Sequence, residues 1–372
     1  MPEVSEVSHT VAQLRRNIIG YTISKINYLV HDSLLFPIIK TSTDPESELV
    51  KIEQKLLGSH IESVGRHGKY FWIRFAGFKI MLMHFGMTGM IKIRNIASHL
   101  KFMENGGDKK LMNKLKTIDD VKMEEVWPPR FTKLELELKL GDSILEMAFT
   151  DPRRLGRIRL LENLKTDEEL LKTEPLNVLG PDYSKSETKK EVDQFVFGDP
   201  DPNPHGRPRL GINEFNKLIL SKKKSIKSLL LDQCFFAGVG NWVADEVLFH
   251  SKLHPSEIIS NKIEYKDGLI DEVVKKLYDS LIYVCETAVD LEGDVTKFPK
   301  HWLMIHRWGK GRKKEKSMTL DGLHLDHITV GGRTACYCPE SQKLLSKKPK
   351  MKEEEDTEKP KPKRRKVEKE IE

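Results

Sequence analysis

An α+β protein in two parts is predicted from three patterns in the 372 residues: strand alternation in the first half, helical periodicity over most of the second, and a glycine pair that turns a late hairpin. Val4, Val7, Val11, Leu14 and Ile18 recur at steps of three and four, so the chain opens with a helix carrying one apolar stripe, stopped near Gly20. Residues 21–30 and 60–92 read as strands, with Phe71, Ile73 and Phe75 alternating against Tyr70, Trp72 and Arg74 before a turn at Gly77. In residues 132–140, Leu134, Leu136, Leu138 and Leu140 face one way and Lys133, Glu135, Glu137 and Lys139 the other. Gly141-Asp142 then reverses the chain into residues 144–149. Burying the apolar faces of these strands makes residues 1–181 a β-sandwich domain with the first helix against it. Residues 97–127, charged and containing Gly-Gly, interrupt it as a surface insertion.

Residues 182–209 are polar and rich in Pro, Asp and Lys, and read as a linker or a loop beside one. Helical patterns follow over 212–220, 225–233, 242–250 and 268–290, which places a mostly α domain at 210–298. Residues 299–345 hold a loop and a β-hairpin: Leu323, Leu325 and Ile328 lead into Gly331-Gly332, and residues 334–338 return. The tail, 346–372, is charged and low in apolar residues, and is expected to be disordered.

The chain carries 63 Lys plus Arg against 56 Asp plus Glu, a net +7 that suggests an anionic partner. The tail holds 11 basic and 8 acidic residues, so +3 of that excess lies there and the body is only mildly basic. Four cysteines without an evenly spaced framework fit a reducing compartment, and no apolar run is long enough to span a bilayer. A soluble intracellular monomer is expected, with no membrane partner. The compact cluster of Lys361, Lys363, Arg364, Arg365 and Lys366 on the flexible end reads as a nuclear import signal, with a solvated tail or a non-specific tether as the alternatives.

The first residues suggest a covalent mechanism that uses the N-terminus itself. Removal of Met1 leaves Pro2 with a secondary amine, which can attack a carbonyl-like carbon and form an iminium. A free α-amine has a reference pKa of about 7.7–8.0, and a helix N-terminus lowers it while Glu3 and Glu6 act oppositely. One of these acids must be protonated or turned towards substrate, and Glu3 in its acid form is a candidate proton donor. An ordinary processed N-terminus ahead of a helix is the plainer reading. Further on, Gly238-Val239-Gly240-Asn241 joins two helical patterns. Its glycines would let main chain approach a phosphate, the new helix start offers N–H donors, Asn241 adds an amide, and Lys222, Lys223, Lys224 and Lys227 add charge. A C-cap followed by an N-cap is the structural alternative.

Pro2-Glu3, His67-Gly68-Lys69-Tyr70, His84-Phe85-Gly86-Met87-Thr88-Gly89, Asp151-Pro152-Arg153-Arg154-Leu155-Gly156, the segment 230–249 and Gly332-Arg333-Thr334 stand in one order along the chain. That ordered set resembles the formamidopyrimidine-DNA glycosylases, the family that also includes endonuclease VIII, from residue 2 to about 345. The resemblance implies a sandwich domain and a helix-two-turns-helix domain with a finger-like hairpin, holding duplex DNA with oxidised bases or abasic sites between them. It implies excision of an oxidised base followed by strand nicking through β,δ-elimination. Pro2 would attack C1′ of a flipped nucleotide, Glu3 would supply the proton that opens the sugar, and Lys69 would contact phosphate and donate a proton in the first elimination. Arg333 would clamp the lesion phosphate and serve the second. Met87, Arg153 and Leu155 match the residues that fill the gap left by the base. Lys224, Lys227 and Asn241 match the phosphate-holding positions, and Glu6 is placed with the DNA-facing set. Taken singly, Lys69 could be a solvated turn lysine, Met87 a strand core residue, and Arg153-Arg154 partners of nearby acids.

The chain also departs from the family pattern. Ser5 stands where a second proline is usual, and Leu155 replaces the common phenylalanine, which weakens stacking on the orphaned base. Many relatives fold the last hairpin around four cysteines and zinc. Only Cys336 and Cys338 lie near this hairpin, Ser341 occupies a cysteine position and no upstream pair exists. Although His324, His327, Cys336 and Cys338 can be imagined as a site, the finger resembles the zincless plant and fungal type. No metal or other cofactor is expected, and Cys336 reads as a small buried apolar residue. The basic run 310–316, with Trp302 and Trp308 before it, has a composition that does not map onto the family's loop over oxidised guanine. Ring-opened purines and further-oxidised guanines are therefore preferred over 8-oxoguanine as substrates. The competing readings are a non-catalytic protein that binds damaged DNA, and the same enzyme turned towards oxidised pyrimidines.

Overall fold

The computed structural model describes residues 2–98, 126–186, 206–307 and 317–346. Most of the charged insertion, the basic run 310–316 with Trp308 and the tail cluster lie outside the described residues.

Helix α1 (Val4–Ile18) buries the whole predicted stripe, each of its five apolar residues being at most 1% exposed. Burial of this order stabilises by roughly 1.5–3 kcal/mol for each large side chain. Strand β1 (Thr22–Leu29) follows, then two helices that strand patterning did not reveal, α2 (Pro37–Thr41) and α3 (Pro45–Leu56). Helix α3 starts where Asp44 accepts the Ser47 N–H at 3.2 Å and Pro45 takes the first turn, where its missing N–H costs nothing.

Strands β2 (Ile61–His67), β3 (Tyr70–Phe75), β4 (Lys79–His84) and β8 (Arg157–Leu161) form one antiparallel sheet in the order β2-β3-β4-β8. The second has the order β1-β6-β7-β5, with β5 (Met90–Ile93), β6 (Thr132–Leu140) and β7 (Ser143–Thr150). Phe71, Ile73 and Phe75 from one sheet and Leu134, Leu136 and Leu138 from the other meet α1 in a single core, as the alternation predicts. Trp72, on the opposite face of β3, is also fully buried. Leu170 and Leu171 of the short helix α4 (Asp167–Leu171), together with Leu176, cover that face, so the sheet is apolar on both sides.

The second domain is built from α5 (Ile212–Ser221), α6 (Ile226–Leu230), α7 (Asn241–Ser251) and α8 (Glu272–Asp290) around its own core. Helix α8 starts later than its periodicity suggests, because Asp271 accepts the Val273 N–H at 3.0 Å and caps it. Strands β9 (Asp326–Val330) and β10 (Arg333–Tyr337) form the expected hairpin, with Gly331 and Gly332 at φ 57° and 74°, a conformation that favours glycine. No helix among the described residues is long and apolar enough to cross a membrane.

The stretch read as a linker from residue 182 begins inside the protein. Asp182 is fully buried and accepts from Arg66 Nη1 at 2.6 Å and from the Gly68 N–H at 2.9 Å, while Ser184 takes Arg66 Nη2 at 2.9 Å. A guanidinium buried on β2 needs an anion, and the segment following the sandwich supplies it.

Candidate active site

Glu3 is buried against the start of α7. Its Oε1 accepts the Trp242 N–H at 3.0 Å and its Oε2 the Val243 N–H at 3.1 Å. A helix N-terminus is a natural anion site, and here the anion is the chain's own third residue. Gly240 makes this approach possible, since a Cβ there would lie 2.1 Å from Glu3 Cδ. The expectation that these glycines and N–H groups receive a DNA phosphate is thus corrected: the Trp242 and Val243 donors are taken by Glu3, and Gly240 makes room for its carboxylate. The adjoining backbone is tied down by the Val4 N–H donating to Gly238 O at 3.1 Å.

Pro2 is buried immediately before this contact. Glu6, grouped from sequence with the DNA-facing residues, turns inward instead. Its carboxylate accepts the Glu3 N–H at 2.9 Å and the Trp242 indole N–H at 3.2 Å, closing the first turn of α1. Burial, then the neighbouring Glu3 charge, raises Glu6 above the usual carboxylate range.

Lys69 sits in the β2–β3 turn. Gly68, at φ 59°, packs so closely on residues 237 and 238 that a Cβ would lie 2.8 Å from Gly238 N. Burial lowers Lys69 from the usual lysine value, Glu3 and Glu6 oppose the shift, and Arg333 adds to it. Lys69, Tyr70, His84, Ser228, Asn241 and Arg333 line one cleft of about 580 Å³. The sandwich, the start of α7 and the hairpin thus contribute to a single space. Its cations favour an anionic ligand.

Arg333, at the start of β10, is exposed, and the backbone beside it is firmly held. Thr334 O accepts from Asn241 Nδ2 at 3.1 Å and from Lys227 Nζ at 3.2 Å. Lys227 is fully buried and paired with Asp245, which also takes Arg307 Nη2 at 2.5 Å and the Cys336 N–H at 3.1 Å. The phosphate-holding expectation for Lys227 is corrected accordingly: its ammonium supports the hairpin from below and has no free path to a ligand. Lys224 stays about half exposed and pairs with Asp232, another residue lining the cleft, at 3.0 Å.

Met87 lies in the β4–β5 turn, half buried, rather than in a strand core. Arg153 and Leu155 stand exposed in the β7–β8 turn, while Arg154 pairs with Asp32 at 2.7 Å. That pair holds the Asp32 carboxyl below its ordinary range.

Cys336 and Cys338 pack with Phe249, Leu303 and Leu325, and burial pushes the Cys336 thiol up to about 12. His327 Nε2 lies 3.2 Å from Arg307 O. Among the described residues, no three His, Cys, Asp or Glu side chains are grouped to hold a metal.

Residues 1–158 match the family model for the formamidopyrimidine-DNA glycosylase N-terminal domain, and residues 199–300 that for the H2TH domain of the same proteins. A formamidopyrimidine-DNA glycosylase of Arabidopsis thaliana is 31% identical over 347 residues, covering 93% of this chain and 72% of that protein. The chain belongs to the formamidopyrimidine-DNA glycosylase family. A bacterial glycosylase of this family, from Ligilactobacillus salivarius, is 28% identical across its full length and 93% of this chain. Two solved glycosylases share the fold at 20% identity: MutM in complex with DNA containing carbocyclic 8-oxo-G, and the Lactococcus lactis enzyme bound non-covalently to DNA with an abasic site. Their TM-scores are 0.63 and 0.60, covering 92% and 91% of this chain and 100% and 99% of theirs.

Three fully buried carboxylates that tie these segments together were not singled out from sequence. Asp182 and Asp245 carry no local signal, because each is defined by a buried cation distant in sequence. Asp151 stood inside a quoted motif, but its arginines drew the attention.

Proposed function

We propose that this protein is a DNA glycosylase of base excision repair with abasic-site lyase activity, acting on formamidopyrimidines and further-oxidised guanines in duplex DNA. Once Met1 is removed, the Pro2 amine attacks C1′ of an extruded nucleotide, the glycosidic bond breaks and the base leaves with a proton. The Glu3 carboxylate takes up the proton that the Pro2 ammonium sheds before attack and returns it to the ring oxygen, the sugar opens and an iminium forms at Pro2. Loss of a C2′ proton to water expels the 3′ phosphate, with Lys69 donating a proton to the leaving oxygen. A second elimination expels the 5′ phosphate held by Arg333, and water releases the sugar fragment from Pro2.

The observation that carries this reading is convergence. Glu3 is seated on the first turn of α7, whose leading residue Asn241 lines the same cleft as Lys69 and Arg333. Nucleophile, acid, turn lysine and finger arginine come from both ends of the chain, and a protein that only bound damaged DNA would have no use for the first two. The substrate choice is supported by the name of the Arabidopsis relative and by the composition of the basic run 310–316.

Borohydride reduction on abasic-site DNA is expected to trap a covalent adduct with the parent protein and far less with Pro2→Gly. Equal trapping by the two would move the nucleophile to a lysine. Excision from a panel of lesions is expected to favour ring-opened purines, and preferential release of oxidised pyrimidines would overturn the substrate assignment. The tail cluster is proposed to direct nuclear import. Changing Lys363, Arg364, Arg365 and Lys366 to alanine in a fluorescently tagged chain is expected to disperse it, and undiminished nuclear accumulation would remove that role.

A further inference from the structure

We infer that Asp151 is the positioning residue that locks two separate turns into one rigid wedge, and that it serves extrusion of the base rather than the bond-breaking steps. The inference rests on the glycosylase reading above.

Asp151 is fully buried, and both of its oxygens are engaged. Oδ1 accepts the Thr88 hydroxyl at 2.7 Å and the Arg153 N–H at 3.1 Å, and Oδ2 accepts the Gly156 N–H at 2.7 Å. Thr88 belongs to the β4–β5 turn with Met87, whereas Arg153 and Gly156 flank Leu155 in the β7–β8 turn. One carboxylate therefore closes its own turn and pins the neighbouring one. The two turns also touch directly, since a Cβ on Gly86 would lie 2.3 Å from Leu155 O. Arg154 adopts a left-handed backbone at φ 56° and reaches away to Asp32 with two hydrogen bonds, of 2.7 and 3.1 Å. That left-handed residue turns the backbone between Arg153 and Leu155, both of which stay exposed.

Two apolar tips and one guanidinium held together suit a gap in a base stack. The tips replace lost stacking, and the guanidinium can meet the acceptor edge of an unpaired base. A wedge offsets the cost of extrusion only if it is ordered beforehand, because otherwise the entropy of fixing the loops is added to the cost of unstacking. Three charge-assisted hydrogen bonds to one buried anion supply that order. A preformed abasic site has no base to unstack and needs the wedge least.

The test compares full-length parent, Asp151→Asn and Thr88→Val in single-turnover excision of a formamidopyrimidine from duplex DNA and in cleavage of a preformed abasic site. Both rates are normalised to active protein titrated by borohydride trapping. Asp151→Asn is expected to slow excision about tenfold and to change abasic-site cleavage by less than about twofold, with Thr88→Val shifting the ratio the same way by a smaller factor. An equal fall on both substrates, or no fall on either, overturns the assignment. If Asp151→Asn does not fold, the Thr88→Val ratio decides alone, and an unchanged ratio overturns it. A parent protein that traps on neither substrate would instead sink the glycosylase reading itself.

Discussion

Glu3 and Gly240 share one space: the carboxylate carbon of Glu3 lies where a side chain on Gly240 would begin, with 2.1 Å between Cδ and the ideal Cβ position. Gly240 has φ −123°, so alanine fits its backbone and the steric conflict with Glu3 is what changes. Gly240→Ala is expected to displace the carboxylate from the Trp242 and Val243 amides and to slow base excision more than about tenfold. Single-turnover excision, with thermal melting as the control for folding, checks this. Retention of full activity would show that Glu3 does not need its seat on α7.

The two lysines of the helix-two-turns-helix segment should separate cleanly. Lys227→Met leaves Asp245 buried with one cation fewer and is expected to cost about 3–5 kcal/mol in urea unfolding. Lys224→Met, at an exposed pair with Asp232, is expected to cost less than about 0.5 kcal/mol. A stability loss of similar size in both variants would contradict the burial of Lys227.

Acid should destabilise the fold in two stages. Burial lowers His67 and His84 from 6.5 to about 4 each, so both are neutral when folded at pH 6 while the unfolded chain takes up protons. Stability from this source is complete above pH 6.5 and is lost as pH falls towards 4. Asp182, held below its ordinary range by Arg66 and other nearby cations against the opposing effect of burial, contributes stability that is present above the unfolded carboxyl value of about 3.9 and is lost below it. Urea midpoints measured from pH 7.5 to 4.5 are expected to fall, and His67→Gln to flatten the fall by on the order of 3 kcal/mol at most. A midpoint independent of pH over that window would refute the neutral-histidine assignment.

Chelation should leave the finger intact. With Cys336 and Cys338 packed among Phe249, Leu303 and Leu325, incubation with a strong chelator is expected to change neither the melting temperature nor strand nicking. One equivalent of tightly held metal in the purified protein, lost together with activity, would overturn this.

The sandwich strands, the first helix and the hairpin were legible in sequence because each obeys a short-range period that burial of one face imposes. Helix α3 was missed although Asp44-Pro45 is a start signal, because it lies between strand patterns and only Ile52 and Leu56 bury deeply. Trp72 looked like the solvent side of a strand until α4 covered it.

The residue types for the proposed chemistry, and their order along the chain, were determined by sequence alone: Pro2 followed by Glu3, a turn lysine and a hairpin arginine. Tertiary structure decided what each polar group faces. It gave the α7 amides to Glu3, turned Lys227 inward to Asp245, drew Asp182 to Arg66, and made Asp151 a hinge pin between two turns. A buried charge must find its counterpart wherever folding brings one, and sequence distance carries no information about that partner.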